Sequence, residues 1–183
     1  MLNQPIAELP ESVSPYAALE TAYRSELSRI LMHISQERNI IIRTEKLNFP
    51  YLNRVLRKLL EDQGFELVLI SGRNEAGGIP SSRVQNMVRQ FEEAVNSYDE
   101  STVFLFPYID ILTSSRHGLS NEGREILTLI HENPGLRLIA LEDPEFPLHS
   151  LVVQAFFSRI SLEGVSRHQI VHMITRNEAR RLE

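Results

Sequence analysis

The stretch Val103-Phe104-Leu105-Phe106-Pro107-Tyr108-Ile109-Asp110-Ile111-Leu112 opens with four large apolar residues in a row. An uninterrupted apolar run, with no alternation of polar residues, is what a strand buried on both faces needs. Such strands belong to parallel sheets covered by helices. Val103–Phe106 therefore reads as a central strand of an α/β domain.

Working outward, the same kind of segment returns at intervals. Ile40-Ile41-Ile42, Phe65–Ile70, Leu136–Leu141 and Ile160–Leu162 are further short apolar runs. Helical spacing separates them. An amphipathic helix over 15–36 begins at Ser14-Pro15, a capping serine followed by proline at the first helical position. Pro50 opens a second helix that ends near Gly64, and Ser81 or Ser82 caps a third carrying Val84, Met87, Val88, Phe91 and Val95. Ser120 starts a fourth, stopped by Asn133-Pro134-Gly135. Pro147 opens a fifth to about Phe157, and Ser166 caps a last one to Leu182. Strands alternating with helices of this length predict a mainly parallel five-stranded sheet in a three-layer α/β/α domain, with right-handed crossovers. Residues 1–14 read as an N-terminal arm and 15–183 as a single domain.

Composition narrows the function classes. The 183 residues suffice for one ordinary core, and 42% hydrophobic with 23% charged residues is normal for a globular protein. There is no cysteine, hence no disulfide framework, thiol nucleophile or thiolate metal site. A net charge of −5 argues against a surface built to grip phosphate backbones. The N-terminal text shows no basic segment followed by an apolar one, and no apolar run approaches the roughly 20 residues of a membrane helix. The expectation is a cytoplasmic protein without membrane insertion.

Aligned by strand and turn, two segments resemble the AAA+ ATPase family. Its Walker B region typically reads four apolar residues, Asp-Glu, an apolar residue, Asp, one residue and Leu. Asp110 and Leu112 fall on that pattern without a gap, while Pro107 and Tyr108 stand in place of the acidic pair. The Walker A loop reads G-x-x-x-x-G-K-[ST] directly after a strand, because small residues let backbone N–H groups surround the phosphates and lysine neutralises them. After Ile40-Ile41-Ile42-Arg43 this chain has Thr44-Glu45-Lys46-Leu47-Asn48-Phe49-Pro50-Tyr51. Thr44 and Phe49 replace the glycines, Pro50 the lysine and Tyr51 the hydroxyl residue. Lys46 lies on the loop, but four residues early. The resemblance spans about residues 17–182 and implies a P-loop NTPase-like strand order of 5-1-4-3-2. By the same alignment Glu142 takes the sensor-1 position and Arg159 falls near the arginine finger. The family's helical lid is expected to be absent or reduced to 166–182.

Several residues have a functional reading beside a plainer one. Arg159 is a candidate to reach a neighbouring subunit's nucleotide, or a surface arginine at a strand edge. Arg116, from the polar loop before the fourth helix, joins it as an interaction candidate. Arg176, Arg180 and Arg181, with Arg167, make the end of the last helix basic; they suit an acidic partner groove, or merely the helix dipole. Asp110 reads most simply as the cap of the following turn. Phe156 and Phe157 read as core. His168 and His172 stand four apart, a metal-compatible spacing with no third ligand suggested. Glu122, Glu125 and His131 form no recognisable acid–base set. The loop Ser71–Pro80, with three glycines, is either a binding loop or a plain connection.

Both nucleotide motifs being overwritten, the expected function is a pseudo-ATPase: no catalytic residues, no cofactor and no metal. It would act as a scaffold, adaptor or regulatory subunit whose partners are proteins, among them an active ATPase or a multi-subunit machine, with oligomerisation possible and nucleic acid disfavoured. The alternative is an enzyme or small-ligand binder using Lys46, Asp110, Arg116, His117, Glu142 and Asp143 at the C-terminal ends of the strands.

Overall fold

In a computed structural model that describes residues 14–73, 82–113 and 118–162, five parallel strands form one sheet with the order β2-β3-β4-β1-β5. The strands are β1 (Ile40–Arg43), β2 (Glu66–Leu69), β3 (Thr102–Phe106), β4 (Arg137–Glu142) and β5 (Ser158–Ser161). The helices are α1 (Pro15–Ala22), α2 (Arg24–Ser35), α3 (Phe49–Glu61), α4 (Arg83–Val95), α5 (Asn121–Glu132) and α6 (Ser150–Gln154). Read from the other edge this is the expected order 5-1-4-3-2, a Rossmann/P-loop-like arrangement. The arm below Ser14 and the last helix with Ser166 lie outside the described residues, so the domain boundaries stay as read from sequence.

Two layers of core follow from the strand alternation. Ile40 and Ile42 of β1, with Ile139 and Leu141 of β4, point toward α1, α2 and α3. Ile41, Leu138 and Ala140 point the other way, toward α4, α5 and α6. All five residues of β3 and all six of β4 are buried, as the apolar runs require. α3 alone buries Phe49, Leu52, Val55, Leu56 and Leu60. At about 1.5–3 kcal/mol for each large side chain, this helix is among the main anchors of its layer. Ser82 makes a full capping box with Gln85, and Ser120 accepts from Gly123 N–H.

Two elements differ from expectation. The helix foreseen over 15–36 is broken at Tyr23, whose backbone (φ −119°, ψ 29°) leaves the helical region. The break lets two segments serve different partners. α1 lies along α3, with Tyr16 against Tyr51 and Arg54, while α2 packs beneath β1 and β5. The helix foreseen from Pro147 to Phe157 shrinks to Ser150–Gln154. His149 N–H donates to Thr113 Oγ1 at 3.0 Å, holding the stretch before it extended, and His149 itself caps α6.

Buried Arg137 fastens the N-terminal ends of the strands. Its guanidinium donates to the carbonyls of Ile34 and Glu100 and pairs with Glu37 at 2.9 Å. Nothing in the sequence pattern singled it out.

Candidate functional site

The chain leaves β1 through α3 on one face of the sheet and leaves β4 through α6 on the other. The C-terminal ends of β1 and β4 are therefore where the connections diverge, the place where open α/β sheets form a crevice. A groove of about 570 Å³ lies there, lined by Glu45, Lys46, Leu47, Asp143, Glu145 and Phe146, with Pro144 at its wall.

The segment 44–51 follows β1 directly. Thr44 does not turn away from the sheet: its N–H donates to Glu142 O at 2.9 Å and prolongs the ladder by one residue. Its hydroxyl accepts from Asn48 Nδ2 at 3.1 Å. Lys46–Asn48 form a single 3-10 turn, and α3 begins at Phe49. The Phe49 side chain, only 2% exposed, enters the core of the α1–α3 layer. Its ring lies 5.9 Å from that of Tyr108. Tyr108 in turn carries the Arg83 guanidinium 4.0 Å from its ring centroid. Tyr51 is held at the surface against Tyr16, with 5.6 Å between ring centroids. Phe49, Tyr108 and Arg83 thus form a continuous ring, ring and guanidinium contact at the start of α3.

The only lysine of this segment is also engaged. Lys46 Nζ lies 2.8 Å from Asp110 Oδ2 and 3.7 Å from the centroid of the Phe146 ring. Asp110 therefore holds a lysine through its side chain, where a turn cap was expected. Its other oxygen is buried with no hydrogen-bond partner among the described residues. With Lys46 neutralised, the groove presents the carboxylates of Glu45, Asp143 and Glu145. Asp143 accepts from Glu145 N–H at 2.9 Å, which fixes the turn carrying Phe146.

Glu142, the last residue of β4, is buried and pairs with Arg159 of the edge strand β5. In register, Arg43 stands beside Glu142 and Ile41 beside Arg159. The three charged residues share the face of the sheet covered by α4, α5 and α6. Arg159 is thus a strand-edge arginine whose guanidinium has an internal carboxylate partner. Of the two phenylalanines read as core, Phe156 is buried, but Phe157 is 62% exposed and stacks under Arg38. The reason is that Phe157 N–H bonds Asn39 O, which sets its ring outside the sheet's end.

The start of the glycine-containing loop is tied to α4. Arg83 Nε donates to Ser71 O, Gln90 Oε1 accepts from Gly72 N–H, and Gln90 Nε2 donates to Arg73 O, each at 2.9 Å. Residues 74–81 lie outside the described residues, as do Arg116 and His117, and His168, His172, Arg167, Arg176, Arg180 and Arg181. Among the described residues no cluster of three or more His, Cys, Asp or Glu is placed to hold a metal ion. His131 bonds the Leu127 carbonyl of its own helix, apart from the groove. No helix among the described residues is long and apolar enough to cross a membrane. Arg83, Phe146 and Gln90 went unread because their roles depend on non-local packing; only the capping serine next to Arg83 marked its neighbourhood.

No protein-family model matches the chain, and no curated protein matches it. Among solved structures, a chain in the E. coli MS115-1 HORMA:CdnC:Trip13 complex is similar. Its TM-score is 0.54 at 10% identity, over 91% of this chain and 74% of that one. A C. elegans PCH-2 structure is similar at 12% identity over 87% of this chain and 45% of that one; its TM-score of 0.44 supports nothing further. At such identities the first likeness concerns the fold.

Proposed function

We propose that this chain is a catalytically inactive AAA+-like domain that serves as a scaffold, adaptor or regulatory subunit in a larger protein assembly. The observation that carries the reading is the packing of Phe49 against Tyr108: by the resemblance, Phe49 stands at a glycine of the phosphate loop and Tyr108 at the glutamate that would polarise the attacking water. Phosphoryl transfer depends on a cation and backbone donors around the phosphates, a magnesium ion and a residue to orient the attacking water. Here the nearby lysine is neutralised by Asp110, and the groove beside it is acidic. An anionic nucleotide entering that groove meets repulsion rather than a cradle.

The second half of the reading, a role in an assembly, is supported by a five-stranded parallel sheet of the expected order whose crevice, among the described residues, carries no phosphate-binding lysine free of a partner. It is also supported by the neighbour of similar fold, which was solved within a complex of several proteins. Only the idea of an assembly is taken over from it, not the partners. The alternative of an independent small-ligand site draws on the groove itself. Of the described residues named for it, the groove joins Lys46 and Asp143 but not Asp110 or Glu142.

Isothermal titration calorimetry with ATP and with ADP, each with magnesium, tests the proposal. No heat of binding is expected up to millimolar nucleotide. Micromolar affinity accompanied by phosphate release would end it.

A further inference from the structure

The groove between the ends of β1 and β4 combines two features that seldom share one surface. Leu47, at the tip of the 3-10 turn, is 79% exposed, and Phe146 across the groove is 48% exposed. Around this apolar pair stand the carboxylates of Glu45, Asp143 and Glu145. The cation of the lining, Lys46, is already paired with Asp110 and stacked on Phe146. Behind the lining, one oxygen of Asp110 and one of Glu142 are buried without hydrogen-bond partners among the described residues. Those two carboxylates are balanced by Lys46 and Arg159, so the negative charge of the lining comes from Glu45, Asp143 and Glu145, and it surrounds a patch that gains by losing water.

Resting on the reading that this crevice holds no nucleotide, we propose that it is the docking groove for a basic segment of a partner protein. That segment carries a bulky apolar side chain flanked by lysines or arginines. The apolar residue fills the space between Leu47 and Phe146, and the flanking cations meet Glu45 and Glu145. Both carboxylates lie on exposed residues at the rim, where they favour encounter and orientation of a positive segment over its competitors. The central apolar contact supplies the affinity.

The complementarity also explains the placement of Lys46. Were it unpaired, it would repel an incoming arginine. Held by Asp110, it instead braces one side of the Phe146 ring.

The test uses the full chain and a fluorescein-labelled peptide with a central Phe-Leu pair and three arginines on each side, followed by fluorescence anisotropy. Two control peptides replace the arginines by glutamates or the Phe-Leu pair by serines. Saturable binding of the first peptide alone is expected. The Leu47→Ser/Phe146→Ser and Glu45→Lys/Glu145→Lys variants are each expected to weaken it by about tenfold or more. All four residues are exposed, and an unchanged circular dichroism spectrum confirms that the variants fold. Equal binding of the serine peptide, or of the first peptide to all variants, overturns the proposal. So does binding only after Arg176, Arg180 and Arg181 are replaced by glutamine, which makes the chain's own C-terminal segment the occupant. ATP titrated into the same sample separates the two readings. Nucleotide binding that leaves peptide affinity intact defeats the inactive-ATPase reading alone; loss of peptide binding to the variants without any nucleotide binding supports both.

Discussion

The ring of Phe49 lies 5.9 Å from the ring of Tyr108, inclined at 53°, and so ties the first residue of α3 to the turn that follows β3. Phe49 is buried within a core that includes Ile42, Leu52 and Leu141. The segment that follows β1 is thereby part of the hydrophobic core.

Phe49→Ala is accordingly expected to destabilise the fold by roughly 3–5 kcal/mol, the usual range for emptying a buried aromatic site. Tyr108→Ala should cost less, because Tyr108 is only partly buried. The double variant should be less damaging than the sum by about 0.5–1.5 kcal/mol if the rings interact directly. Urea denaturation of the four proteins measures this. Strict additivity would show that the two rings merely sit near each other. Opening the space should not create ATP affinity, because Glu45, Asp143 and Glu145 remain.

The strands were legible in the sequence for a physical reason, and their order followed from the family resemblance. Central strands such as Val103–Phe106 and Ile40–Ile42 are buried on both faces, so their composition announces them. What the sequence hid depends on side chains meeting across long separations. Lys46 and Asp110 are 64 residues apart, and neither position alone predicts the pair. The break at Tyr23 was hidden because the apolar spacing continues through it; it reflects the choice of two packing partners, which no local signal encodes. Phe157 misled because an exposed phenylalanine has the same letter as a buried one.

Two glycines separate conformational strain from steric exclusion. Gly64 and Gly72 both have positive φ, 82° and 65°. A Cβ on Gly64 meets nothing within 4 Å, whereas one on Gly72 would lie 2.1 Å from the Arg83 carbonyl oxygen. Gly64→Ala should therefore cost about 1 kcal/mol, the left-handed backbone penalty alone. Gly72→Ala should cost more, by at least about 1–2 kcal/mol, because the chain must move away from α4 and stretch the Gln90 and Arg83 bonds. Thermal denaturation ranks them. Equal losses would mean that the start of the loop gives way freely.

Among the described residues, His33 is the identifiable contributor to the pH response at mildly acidic pH. Burial pushes the His33 imidazole below its ordinary value of 6.5, with the Arg38 and Arg29 charges adding to the effect. The folded state thus prefers the neutral ring, while the unfolded chain takes up a proton near pH 6.5. The contribution to stability is full above that value and is lost progressively as pH falls below it. Asp99 works at lower pH: hydrogen bonds from Ser101, then Thr102, hold its carboxyl below the ordinary 3.8, so its contribution fades only as pH falls through the carboxylate range. Urea midpoints between pH 7.5 and 5.5 should fall for the native chain and fall less for His33→Phe. Parallel slopes would assign the acid sensitivity elsewhere.

Glu142 and Arg159 provide the sharpest separation of a structural role from a functional one. The carboxylate is 3% exposed and the guanidinium 42% exposed, and they bridge the ends of β4 and β5 past β1. If the pair is a clamp, Arg159→Ala strands a buried carboxylate. The loss should be roughly 1–3 kcal/mol, below the 3–5 kcal/mol of a fully enclosed pair because the guanidinium is partly solvated. Replacing both, as Glu142→Leu/Arg159→Leu, should recover much of that loss, since it removes the stranded charge and adds apolar contact to the face covered by α4–α6. An arginine held in place only for a partner would behave differently. Its removal would leave the urea midpoint unchanged, and Glu142→Leu alone would then be the stabilising change. Denaturation of the two single variants and the double variant decides between these roles, with no knowledge of any partner needed.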